Sequence, residues 1–186
     1  MHRGAAWLDS AAPNPGTGGV MSDRDVSRSG LGTYLNAHLA GATAGMELAR
    51  RAARGNRDAE HGTRLSLLAR DIAADRRSLV QLMRSLGVRV RHYQIFARWL
   101  RGKAARLKPG AGVLTRSPLR DLIELETLYL GIQGMAAGWR VLLVAAANGA
   151  PVDEESLRLL HDRASNELAV AEDLRIQAGT RAFTRD

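Results

Sequence analysis

Few residues in this 186-residue chain could do chemistry. It has no Cys, which removes disulfides, thiolate metal sites and thiol nucleophiles. The histidines are His2, His38, His61, His92 and His161. A di-iron centre inside a helical bundle takes one Glu from each of two helices and a Glu-x-x-His from each of two others. No Glu-x-x-His occurs here; His61 follows Asp58 by three positions, but at a helix entrance. Phosphate loops of the Gly-rich type, Gly-x-Ser-x-Gly and His-Glu-x-x-His are also missing. What remains is a set of polar residues set into otherwise apolar stripes. His38, Asp75, Gln133 and Glu167 form one group, and Asp71, Glu126, Tyr129 and Glu172 a second.

The stripes themselves are helical. Apolar residues make up 45% of the chain and aromatics only 4%, which favours helix packing over β-sandwich cores. A stripe with 3–4 spacing runs through Leu31, Leu35, His38, Ala42, Gly45, Ala49 and Ala52, predicting a helix over about 30–54 that ends at Gly55-Asn56. A second runs through Leu65, Leu68, Ile72, Asp75, Leu79, Leu82 and Leu86, predicting a helix over about 60–86 stopped by Gly87. Ser117-Pro118 reads as N-cap and first helical residue of a third, with Leu122, Leu125, Tyr129, Ile132, Ala136 and Trp139 inward. Asp153, Glu154 and Glu155 suit the N-terminus of a fourth, whose inward residues run from Leu157 to Ala178.

The loops predict the topology. Short connections join helices one to two and three to four, so each pair is antiparallel. The connection from 87 to 116 is far longer and carries its own helical stretch from Val90 to Leu107. Such a segment can travel the length of the bundle, making helices two and three parallel. The predicted fold is therefore all-α, a ferritin-like four-helix bundle with a long helical crossover between helices two and three; an up-down-up-down bundle with 90–107 as a fifth packed helix is the alternative. Gly41, Gly45, Gly131, Gly134 and Gly138 each cost about 1 kcal/mol against Ala, so close backbone approach is expected, inside the bundle or at an oligomer contact.

A symmetric turn near residue 57 places His38 level with Asp75, and parallel helices two and three bring Gln133 and Glu167 to the same layer. Buried unpaired, these groups would cost several kcal/mol. A His38–Asp75 hydrogen bond is the simplest expectation. Solvent-facing side chains are the second, and a mononuclear metal held by His38, Asp75 and Glu167 the third. No catalytic residue is assigned and no cofactor is expected.

The formal charge of +8 is unevenly placed. Residues 76–120 hold 12 Arg and Lys and no Asp or Glu, while the rest carries 15 basic and 19 acidic residues. On a helix over 90–107, Arg91, Arg98 and Arg106 share a face with Ile95 and Trp99 beside them. This face is the candidate contact surface. A protein partner or a second copy could cover Trp99, nucleic acid or another polyanion could engage the arginines, and an anionic membrane surface could take both. No nucleic-acid-binding motif is visible.

Residues 1–29 carry Pro13, Pro15 and several Gly with no apolar periodicity, and are expected to form a disordered tail; Met21 is an alternative start. They lack the apolar core of a secretory signal. The longest strongly apolar run, Val141–Ala147, is seven residues against the ~20 of a membrane span, so no transmembrane helix and a cytoplasmic location are expected. The domain is expected over 30–182, with 183–186 frayed. The segments LGTYLNAHLAGATAGMELARR (31–51) and SPLRDLIELETLYLGIQG (117–134) resemble those of an uncharacterised bacterial family of ferritin-like helical bundles. The resemblance implies a soluble cytoplasmic bundle and no activity. Without the di-iron motif, it carries iron chemistry to no residue here. The sequence thus predicts a non-catalytic structural or interaction module. A divergent metal or small-ligand bundle around His38 and Asp75 is the alternative.

Overall fold

The computed structural model describes residues 23–55, 58–91 and 117–184. Among them are four helices and no strand: α1 (Asp23–Gly55), α2 (Ala59–Ser85), α3 (Pro118–Ala147) and α4 (Glu154–Phe183). Ser117 is the N-cap that the sequence predicts, Asp153 sits where acids are expected, and Asp58 is a cap the sequence reading did not single out. Asp58 accepts hydrogen bonds from the backbone N–H groups of Glu60 and His61 at the start of α2. Ser117 accepts from Arg120 N–H with Pro118 in the first turn of α3, and Asp153 accepts from Ser156 N–H at the start of α4. Gly87 and Gly149, just past the ends of α2 and α3, have φ of 65° and 87°, a region that disfavours a side chain.

One boundary differs. Helix α1 begins at Asp23, seven residues ahead of the expected 30. The added turns, DRDVSRS, carry a single apolar residue, Val26, and show no stripe. A helix nucleated by packing further along extends outward at little cost, and acids in its first turn favour the extension. The remainder of the expected tail, residues 1–22, lies outside the described residues, as does the expected crossover helix Val90–Leu107 from residue 92 on; its first two residues, Val90 and Arg91, are not helical.

Two apolar clusters give the helix directions. The first joins Leu35 and Leu39 of α1 to Leu79 and Met83 of α2, to Trp139 and Leu142 of α3 and to Leu157 and Leu160 of α4. The second joins Ala49 and Ala52 to Leu65 and Leu68, to Leu122 and Leu125 and to Leu174 and Ala178. The C-terminal half of α2 is therefore level with the C-terminal half of α3, and the two run in the same direction. Helix α1 packs against α2 and α3, and α4 packs against α3 and α2, so every neighbouring pair is antiparallel. The connection leaves at one end of the bundle and returns at the other, since Val88 belongs to the first cluster and Leu122 to the second. Asn36 fixes its departure. Its amide donates to Arg89 O at 3.0 Å, and its Oδ1 accepts the Arg91 N–H at 2.7 Å.

The helical glycines divide into two kinds. A Cβ on Gly138 would meet the His38 ring at 2.8 Å, and one on Gly45 would touch Leu128 at 3.9 Å. A Cβ on Gly41, Gly131 or Gly134 would meet nothing within 4 Å, so packing within the bundle requires glycine at none of these three. Gly138→Ala should destabilise the fold by about 1–3 kcal/mol through overpacking against His38. Gly41→Ala should stabilise it by up to ~1 kcal/mol. Urea melts check both, and repeating Gly138→Ala in a His38→Ala background should turn the loss into a gain. A loss unchanged in that background would mean the ring is not the obstacle.

Candidate functional site

Asp75 and Glu167 face each other across the α2–α4 side of the core. They are 2% and 5% exposed and line one small void with Gly41, Ala42, Gly45, Gly131, Ile132 and Met135. The void, about 10 Å³, has room for roughly one water and not for an organic ligand. Arg163 reaches in from the surface and donates from Nη1 to Asp75 Oδ1 at 2.9 Å. Asp75 Oδ2 and Glu167 Oε1 are buried without a hydrogen-bond partner.

Burial raises both acids. Glu167 is pushed up to about 8, by desolvation first and then by the charges of Asp75 and Asp71, with Arg163 opposing. Asp75 is pushed up to about 6, again chiefly by desolvation, with Arg163 pulling it back and Asp71 adding to the rise. Near neutral pH, Glu167 keeps its proton and Asp75 shares its charge with Arg163. The pair can hold and release a proton. Among the described residues, no group of three or more His, Asp or Glu is placed to hold a metal ion.

The structure brings together half of the expected layer. Asp75 and Glu167 meet as the stripes predict. Gln133 is exposed on the outer side of α3. His38 makes no hydrogen bond to Asp75; it sits one turn away, level with Leu79. There it packs edge-on to Tyr34, with ring centroids 4.5 Å apart, against Gly138 and Trp139. Its pKa is lowered by burial, so the imidazole is neutral at pH 7. The expected alignment assumed symmetric helix ends about the turn. In the bundle Gly45 lies against Ile72, most of a turn away from that symmetry.

The second expected layer is a surface cluster built around a residue the sequence analysis did not single out. Arg175 donates to both Glu172 oxygens at 2.7 and 2.8 Å and to Glu126 at 3.3 Å, with its guanidinium 5.6 Å from the centre of the Tyr129 ring. Glu172 is held below the usual carboxylate range by that contact. Asp71 stands apart, beside Arg70 at 3.7 Å. Another missed group lies at the α2 entrance. His61 Nε2 is 2.5 Å from Gln177 Oε1, and Nδ1 is 2.7 Å from Asp58 Oδ2, though off the line of a good hydrogen bond. Gln177 in turn donates to Asp173, which pairs with Arg64. The signal was available, since His61 lies four residues before Leu65 on the inward stripe. His161 is half-buried beside Asp162.

Of the expected contact residues, Arg91 is exposed, and only its backbone is engaged, by Asn36. Ile95, Arg98, Trp99 and Arg106 lie outside the described residues. Arg77, Arg84 and Arg89 are exposed as well, and none of these four arginines has an ion-pair partner among the described residues. Helix α3 passes a length and composition test that the core helix of a bundle also passes. Among the described residues, it is the one helix long and apolar enough to cross a membrane. Run-length counting misses it because Gln133 and Arg140 interrupt the apolar stretch, and one face of the helix, including Leu125, Ile132 and Trp139, is core.

The fold and these contacts define an all-α protein of four packed helices with a buried acidic pair. Comparison with protein-family models, with curated proteins and with solved structures finds no match to this chain.

The raised acids make stability depend on pH. Glu167 binds its proton more tightly when folded, so its contribution is full below about pH 4.5 and is lost as pH rises through about 8. Asp75 adds the same sign between about 3.8 and 6. Denaturant melts should show stability falling from pH 5 to pH 8. Glu167→Gln should flatten the slope, exceeding the wild type by a few kcal/mol at pH 8 and by little at pH 5. Parallel pH curves for the two proteins would refute the assignment.

Proposed function

We propose that this chain is a non-catalytic, ferritin-like helical-bundle module, cytoplasmic, that works by contact through a basic surface at the C-terminal end of α2 and the connection beyond it. The observation that carries the reading is the set of exposed arginines Arg77, Arg84, Arg89 and Arg91, which have no ion-pair partner among the described residues. Residues 76–120 contain no acid to neutralise them. The shared direction of α2 and α3 supports the ferritin-like description. The partner that fits is an acidic protein surface, with a polyanion as the simplest probe. Arg91, Ile95, Arg98, Trp99 and Arg106 are the proposed contact residues.

A duplex DNA oligonucleotide serves as that probe. Arg84→Glu, Arg89→Glu and Arg91→Glu together should abolish measurable binding at low salt without shifting the thermal melt. Replacing the same three by Gln should lower the slope of log affinity against log salt by roughly one for each arginine engaged. Identical binding by wild type and charge-reversed protein would remove the basic surface from the account.

A second reading, a divergent metal or small-ligand bundle, is favoured by the orphaned Asp75 Oδ2 and Glu167 Oε1. The Arg163 guanidinium beside Asp75 opposes a cation there. Elemental analysis of purified protein decides it. Metal-free protein is expected, and stoichiometric metal lost on Glu167→Gln would reverse that expectation.

A further inference from the structure

The outer face of α3 carries an apolar repeat from Ile123 to Val144, uncovered among the described residues. Ile123, Leu130, Ala137 and Val144 recur every seven residues, and all four are exposed. Thr127 and Val141, also exposed, and half-buried Gly134 lie four residues after the first three of them. These are the two seam positions of a heptad, on the face opposite the one that fills the bundle. Leu130 is 67% exposed and Val144 60%. Single exposed apolar residues are ordinary, but a strip that recurs at heptad spacing over about 32 Å is not.

We propose that this strip is the dimer interface between two copies of the chain, with the two α3 helices packed antiparallel about a two-fold axis that passes beside Gln133 and Gly134. Three observations choose the occupant and the direction. First, the positions flanking the seam carry Glu126, Gln133 and Arg140 in that order. In an antiparallel pair these positions meet one another, so Glu126 of each copy faces Arg140 of the other, and the two Gln133 side chains meet at the axis. A parallel pair would set Glu126 against Gly131 and Arg140 against Ala145 of the second copy, and would form neither ion pair. Arg140 has no ion-pair partner among the described residues, and Glu126 is half-exposed beyond its contact with Arg175. Second, the same alignment sets Leu130 opposite Gly134 of the second copy and Ile123 opposite Val141, a large residue against a small one and two branched residues together. Third, a Cβ on Gly134 would meet nothing within 4 Å, so the helix carries its glycine with no return from the bundle itself. Close approach of a second helix supplies one. The inference is independent of the basic surface, which lies on α2.

Sedimentation equilibrium of the full chain tests it. The wild type should run at twice the 20.1 kDa chain mass at micromolar concentration. Leu130→Lys, at a position exposed in the single chain, should raise the dimer dissociation constant at least 100-fold while keeping helix content. Arg140→Glu should weaken the dimer about 10-fold, and adding Glu126→Arg should restore it. A wild-type monomer at 100 µM would overturn the proposal. So would a dimer indifferent to Leu130→Lys. A monomer that floats with phospholipid vesicles would place the strip against a bilayer, and a Leu130→Lys protein that loses melting temperature without changing mass would place it under the chain's own connection. Either result overturns the dimer.

Discussion

The desolvation of two carboxyl groups in the middle of the bundle is the constraint around which the structure is arranged. Asp75 and Glu167 interrupt what would otherwise be one continuous apolar core. The apolar residues above and below them form two clusters, with Leu168 packed against both. A buried carboxylate is tolerated only when it is paired or protonated, and each acid takes one of these routes. Asp75 has Arg163, whose side chain stays 41% exposed and so keeps part of its own hydration. Glu167 has no such partner and holds its proton. Sliding α4 by one turn along α2 would strand Asp75 and put Arg163 against the apolar cluster, so the polar layer specifies register where the leucine layers alone would tolerate a shift.

The same layer explains where the small residues gather. Gly41, Gly45 and Gly131 line the void beside the acids, and Gly138 lets the His38 ring lie against α3. Larger side chains at Gly45 and Gly138 would press against Leu128 and the His38 ring, whereas a Cβ on Gly41 or Gly131 would meet nothing within 4 Å. The bundle therefore has close approach on its α1–α3 side and a polar contact on its α2–α4 side. Its outer surfaces are unlike one another. The end of α2 is arginine-rich and without local acids, whereas the outer face of α3 is aliphatic.

Most of the secondary structure was legible because its determinants are local. Asp58, Ser117 and Asp153 cap helices by reaching two or three residues along the chain, and Gly87 and Gly149 end them through their own backbone freedom. The early start of α1 was not legible, because residues 23–29 have no apolar face to signal a helix. About half of the polar layer could be placed. Asp75 and Glu167 lie on unambiguous stripes of α2 and α4, but the level of His38 depended on how α1 and α2 overhang at their turn. Arg163 lies one helical turn before Glu167, and its spacing was a usable signal. Arg175 likewise follows Glu172 by three, so the cluster with Glu126 and Tyr129 was open to inference from helix geometry.

Periodicity, caps and loop lengths are encoded within a few residues of one another. Four helices, their inward faces and the antiparallel pairing across the two short turns can therefore be read from the amino-acid order. Axial offset between helices is not local. It follows from how side chains on different helices interlock, and an offset of one turn changes a residue's neighbours without changing which face it lies on. Three features depend on that interlocking and emerge only in the folded bundle. His38 is a neutral ring packed between Tyr34 and Gly138, Asp75 and Glu167 share a water-sized void, and the second face of α3 is uncovered among the described residues.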